Sequence, residues 1–151
     1  MTPEDRLKEM NIILPEVAAV GHYLPAVKTG NLLFVSGQLP KLEGKVAFQG
    51  RVGKDLNLET ARRAAKACAT NILAVLKQEL GNLDRIKKIV RLNGYINSYP
   101  GFHEQAKVMD GASELFVDLF GESGRHSRVA VGVVELPLGA AVEIDAIVQF
   151  V

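Results

Sequence analysis

Few side chains in this sequence can do chemistry, and their spacing removes most reactions. His22, His103 and His126 are scattered, and none has a convincing second ligand three or four residues away on a regular element, so no zinc centre is expected. Ser36 lies in Ser-Gly-Gln rather than in the G-x-S-x-G elbow of a serine hydrolase. The stretch ending Val52-Gly53-Lys54-Asp55 is no phosphate loop. Phe48 stands where its first glycine is needed, and Asp55 where serine or threonine should follow the lysine. Cys68 is the only cysteine, which excludes an intrachain disulfide and a multi-cysteine metal site. Its helical spacing among Ala64, Ala65, Ile72 and Val75 marks it as a buried small residue rather than a nucleophile.

What remains is Arg128, which opens a run of alternating apolar residues ending at Leu136-Pro137. A guanidinium at a strand start can present a planar fork to a carboxylate across the sheet edge. Spacing alone favours a surface ion pair at a strand end. Glu143 lies on the following strand, but a hairpin register symmetrical about Gly139 sets it opposite Glu135, away from Arg128. Two opposed glutamates would repel, so the register stays open.

These residues need a scaffold, and the composition specifies its kind. A chain of 151 residues, 48% hydrophobic, fits one domain with a sizeable core. The net charge of +1, with both signs interspersed, argues against nucleic acid and anionic membrane as partners and fits small ligands. No apolar run is long enough to span a bilayer, and the start MTPEDRLKEM has no signal-like apolar core, so a cytoplasmic protein is expected.

Thr2 before Pro3, Glu4 and Asp5 reads as the cap of a short helix that stops before Pro15. Residues 17–28 are mixed, with room for a short strand. Asn31 opens a strand over about 32–37, and the glycine-rich stretch from Lys41 to Asn57 reads as a surface loop or irregular hairpin. Leu58 to Leu80 carries apolar residues at helical spacing between Asn57 and Gly81. A strand at Ile89–Asn97, a helix from about His103 to Phe120 weakened by Gly111, and strands at about 128–136 and 141–151 follow. The Pro137-Leu138-Gly139 turn is expected to join the last two as an antiparallel hairpin. The order implies an α+β mixed sheet with two long helices on one face. Apolar residues at both strand parities, such as Val129, Val131 and Val133 against Ala130, Val134 and Leu136, predict that the other face is buried by further subunits.

Two segments resemble signatures of the RidA/YjgF family of reactive-intermediate (enamine/imine) deaminases. GHYLPAVKTGNLLFVSGQLP is similar to its N-terminal signature, with Tyr23, Gly30, Asn31, Ser36, Gly37 and Gln38 at matching places. RVAVGVVELPLGAAVEIDAI is similar to its C-terminal signature, in which the arginine stands eight residues before Leu-Pro and fifteen before a glutamate, here Glu143. The resemblance covers about residues 20–150 and leaves the N-terminal helix as an addition to one RidA-like domain spanning 1–151.

The resemblance implies a chorismate-mutase-like homotrimer, with three sheets forming a central barrel and active sites in clefts between subunits. It assigns Arg128 to the substrate carboxylate, Tyr23 to the cleft lining, Ser36 and Gly37 to its wall, and Glu143 to positioning water. Ala130 stands where many members carry cysteine, which keeps a backbone carbonyl for the substrate and removes thiol chemistry. The family's asparagine on the second helix falls near Asp110. The implied reaction is cofactor-free hydrolysis of small 2-imino acids or their enamine tautomers to 2-keto acids and ammonia, the activity of a 2-iminobutanoate/2-iminopropanoate deaminase. The rival is a non-catalytic trimer that binds keto acids or regulates through them. Ribonuclease activity, sometimes attributed to the family, lacks a basic stretch and a histidine pair.

Overall fold

The computed structural model describes residues 1–18 and 21–151; Ala19 and Val20, inside the stretch read as mixed, lie outside the described residues. Helix α1 (Pro3–Glu9) starts as expected, with a reciprocal cap: the Asp5 N–H donates to Thr2 Oγ1 and the Thr2 N–H to Asp5 Oδ2, each at 3.1 Å. It ends well before Pro15 because Asn11 takes a left-handed backbone, φ 57°. Arg6 of α1 donates to the carbonyls of Asp118 and Leu119, and Glu4 pairs with Lys77 at 2.8 Å, which docks α1 onto the ends of the two long helices.

Helix α2 (Leu58–Leu80) has the bounds its sequence specified. Asn57 Oδ1 accepts the Thr60 N–H at one end, and Gly81, φ 81°, terminates the other. Helix α3 (Gln105–Phe120) lies beside it. Strands β1 (Ala26–Thr29), β2 (Leu32–Gln38), β5 (Ile86–Asn97), β6 (Ser127–Val133) and β7 (Val142–Phe150) form one mixed sheet in the order β1-β2-β7-β5-β6. The glycine-rich stretch contains a separate small hairpin, β3 (Lys41–Leu42) with β4 (Lys45–Val46), turning at Glu43 and Gly44 with positive φ. The α+β architecture is the one expected.

One expectation fails. Strands β6 and β7 are not a hairpin: β6 pairs in parallel with β5, setting Arg128 opposite Leu92, while β7 inserts between β2 and β5. Glu143 therefore faces Tyr95 across the ladder, not Glu135. The cause is α3, which carries the chain from the end of β5 back to the start of β6, as a parallel neighbour requires. β6 then occupies the sheet edge, and β7 can pair only on the far side of β5. Pro137-Leu138-Gly139 is a tight turn within that connection, with Leu138 and Gly139 both at positive φ.

Both long helices cover the same face. Leu33, Leu92, Ile96, Val142, Ile144 and Val148 point into it and are fully buried, and so is Cys68 of α2. Burial pushes the Cys68 thiol well up, so it stays protonated and inert. The opposite face is open in the single chain, where Val27, Phe34 and Val131 are exposed. Among the described residues, no helix is long and apolar enough to cross a membrane.

Gly111, a weak point of α3 by propensity, is where α3 crosses α2: an added methyl would collide with the Arg62 carbonyl oxygen. Alanine would improve the helix by about 1 kcal/mol, but overpacking against backbone costs roughly 1–3 kcal/mol. Gly111→Ala is expected to lower Tm by a few degrees in thermal unfolding. A rise in Tm would show that the two helices have room to part.

Candidate active site

Side chains alternate across β6, so Arg128, Ala130 and Gly132 share the helix-covered face with their parallel partners Leu92, Gly94 and Ile96. The guanidinium reaches the underside of α3. Its Nη1 donates to Asp110 Oδ1 at 2.9 Å and to Ser113 Oγ at 3.0 Å, and its Nη2 to the Ala106 carbonyl at 3.1 Å. Asp110 and Ser113 stand three residues apart, so they lie on one helix face. The side chain of Arg128 is 22% exposed and that of Asp110 45%.

Ser113 extends the chain of contacts to His126 Nε2 at 2.8 Å, while His126 Nδ1 lies 2.7 Å from the Gly124 carbonyl. A carbonyl only accepts, so Nδ1 carries the proton and Nε2 accepts the Ser113 hydroxyl. The serine oxygen is then free to accept from Arg128. Burial lowers the His126 pKa, the Gly124 carbonyl partly offsets this, and the positive charges of Arg128 and Lys88 lower it further.

Tyr23, Gly37 and Glu143 meet elsewhere, around a cavity of about 220 Å³ that Pro15 to Ala18 and Pro137 also line. A β-bulge builds it. Val35 pairs with Ala146 and Gln38 with Ile144, so Ser36 and Gly37 together oppose Asp145 alone. The bulge brings Gly37 against Glu143, where any side chain would collide with Oε2. Ser36 is spent structurally: its hydroxyl donates to the Leu24 carbonyl at 2.7 Å and its N–H to the Pro25 carbonyl at 2.9 Å, holding the Tyr23 segment beside the bulge.

Among the described residues the Glu143 side chain has no hydrogen-bond or ion-pair partner. Burial raises its pKa, and the nearby Asp145 carboxylate adds to the effect. Asp145 itself is fixed, accepting from Asn93 Nδ2 at 2.6 Å and the Tyr95 hydroxyl at 3.0 Å.

Within one chain the two groups do not meet. Arg128 and Ala130 face α3 at the β6 edge, whereas Glu143 emerges on the opposite face of the central strand, next to β2. In the sequence Ser113 belongs to no motif, His126 is a lone histidine without a second ligand, and Asp110 is marked only by the family resemblance. The signal was present as Asp110 and Ser113 at helical spacing, but nothing local says which strand that face covers. Among the described residues, no cluster of three His, Cys, Asp or Glu side chains could hold a metal ion.

The family model described as "YjgF/chorismate_mutase-like, putative endoribonuclease" matches residues 4–147. The chain belongs to the YjgF/RidA family. It is 46% identical over 145 residues to Protein TCP17 of Trypanosoma cruzi, covering 95% of this chain and 91% of that one. The crystal structure of Atu1372 from Agrobacterium tumefaciens, a protein of unknown function, is 51% identical and superposes with a TM-score of 0.93, covering 99% of this chain and 92% of that one. A 2-iminobutanoate/2-iminopropanoate deaminase of Dermatophagoides farinae is 29% identical over 129 residues, covering 85% of this chain and 86% of that one.

The histidine makes a pH prediction. Its pKa is depressed in the fold, so as pH falls below the ordinary 6.5 the unfolded chain takes up a proton that the folded chain refuses. Stability is therefore lost as pH drops from 6.5 through the depressed value. His126→Gln is expected to flatten the fall in Tm across that window, measured by thermal unfolding at several pH values; an unchanged slope would show that His126 does not carry it.

Proposed function

We propose that this protein hydrolyses small 2-imino acids, or their enamine tautomers, to 2-keto acids and ammonia, as a homotrimer whose sites lie between subunits. The observation that carries this reading is Glu143: a carboxyl with raised pKa and no partner among the described residues, facing a cavity at a glycine bulge beside Tyr23. Such a group can hold a water and exchange a proton with it more readily than an ordinary carboxylate. The named activity of the Dermatophagoides farinae relative supports the assignment.

Arg128 would bind the substrate carboxylate through the N–H groups it has not spent on α3, with the Ala130 carbonyl alongside. Because Arg128 and Glu143 project from opposite faces, the site is completed by a second copy, whose docking would also cover Val27, Phe34 and Val131. Protonation turns the C=N group into an iminium, and water held by Glu143 adds to its carbon as a proton passes to the carboxylate. Return of that proton to nitrogen, with Tyr23 or a water as an alternative donor, lets ammonia leave as the C=O bond forms and the hydroxyl proton passes to the Glu143 carboxylate. The reaction consumes one water and needs no cofactor. Catalysis is then chiefly orientation and proton supply.

Ala130 in place of cysteine favours the second reading, a trimer that binds keto acids without turnover. Ammonia release from an imine generated in situ by an amino-acid oxidase separates the two. Ribonuclease action fits poorly, since His126 is half-buried and engaged on both ring nitrogens.

Arg128→Lys keeps the charge but loses the fork, and loss of one charge-assisted bond costs roughly 1.5–3 kcal/mol. Imine hydrolysis is expected to fall about ten- to hundredfold, with a larger fall for Arg128→Ala. Near-normal turnover by folded, assembled Arg128→Ala would remove the arginine from the mechanism.

A further inference from the structure

A guanidinium has five N–H groups, and Arg128 spends three of them on Asp110, Ser113 and Ala106. The remaining two match the two oxygens of a carboxylate, but the charge that would attract it is already opposed by Asp110 at 2.9 Å. A ligand carboxylate arriving alone would place a second anion beside the first. Among the described residues no other cation hydrogen-bonds to Asp110. Arg62, the other cation near Asp110, is bidentate on Glu114 at 3.0 and 3.1 Å, and His126 is neutral.

We propose that Asp110 is the specificity-determining residue of this site, selecting ligands that carry a cationic N–H group beside their carboxylate over ligands that carry a carboxylate alone. The inference rests on the assignment of Arg128 to substrate binding under the proposed function. Asp110 Oδ1 takes Arg128, whereas Oδ2 has no partner among the described residues on a side chain that is 45% exposed. An iminium or ammonium nitrogen sits on the carbon next to the carboxylate carbon. The ligand's two charges are therefore side by side, as the protein's two are, and pair with them in opposite order. A 2-imino acid in its protonated form gains both contacts. The 2-keto acid product, having an acceptor where the substrate has a donor, loses one and meets the Asp110 charge unshielded. Asp110 thereby favours substrate entry and product release together.

The test is equilibrium binding by calorimetry of two probes of equal length, 2-aminobutanoate as the zwitterion and 2-oxobutanoate as the plain carboxylate. Asp110→Asn keeps an oxygen for Arg128 and removes the charge. The wild-type protein is expected to prefer the zwitterion, and Asp110→Asn to shift the affinity ratio at least tenfold towards the keto acid. Equal loss of both affinities would make Asp110 only an orienting group for Arg128, and an unchanged ratio or a shift towards the zwitterion would likewise overturn the proposal. Asp110→Ser gives the same readout if the asparagine variant fails to fold. Arg128→Ala separates the two levels of the argument: if it binds both probes like wild type, the assignment of the arginine itself fails, and if it binds neither while Asp110→Asn leaves the ratio unchanged, only the role of Asp110 fails. A wild-type protein that binds neither probe overturns both.

Discussion

The parallel pairing of β6 with β5 can be reached only by carrying the chain back along the sheet, and α3 is the segment that does so. That crossover lays Asp110 and Ser113 over β6, where Arg128 finds them. It also assigns the sheet edge to β6 and leaves β7 to pair in the centre. The alternation of β7, with Val142, Ile144, Ala146 and Val148 buried against the helices, turns Glu143 to the opposite face. The separation of the arginine from the glutamate thus combines the sheet order with the local alternation of β7.

The same constraint explains why the two groups have different electrostatics. Arg128 lies under a helix, where backbone carbonyls, a serine and a carboxylate are within reach, and it is held by three of them. Glu143 stands half-buried beside another carboxylate and a glycine, and it is held by no side chain among the described residues. A guanidinium is stabilised by such company, while a carboxyl left without it becomes easier to protonate. Under the proposed function, one half fixes a ligand and the other moves a proton. The bulge at Ser36 and Gly37 belongs to the second half: the serine anchors the Tyr23 segment, and the glycine makes space for the glutamate.

Features set by neighbouring residues were legible in the sequence. Asn57 and Gly81 delimit α2, the Thr2 cap starts α1, and Cys68 is buried as its spacing implied. The family signatures pointed to the residues now found at the cavity and at the β6 edge. Features set by pairing at a distance were not legible. Pro137-Leu138-Gly139 has the composition of a hairpin turn, and only the crossover through α3 shows that β6 and β7 part company there. Helix α1 ends at Glu9, before Pro15 as its sequence implied, with Asn11 in the left-handed region just beyond it. The Asp110 partner of Arg128 lies eighteen residues away on another element, beyond the reach of any local pattern.

The central claim is that one chain supplies the carboxylate fork and another supplies the water and the proton. Co-assembly of Arg128→Ala with Glu143→Gln tests it most directly, since each variant lacks a different half. If sites form between copies, random mixed trimers should regain about a quarter of wild-type imine hydrolysis, because each half is intact in about one site in two. Mixed assemblies no more active than either variant alone would contradict the account.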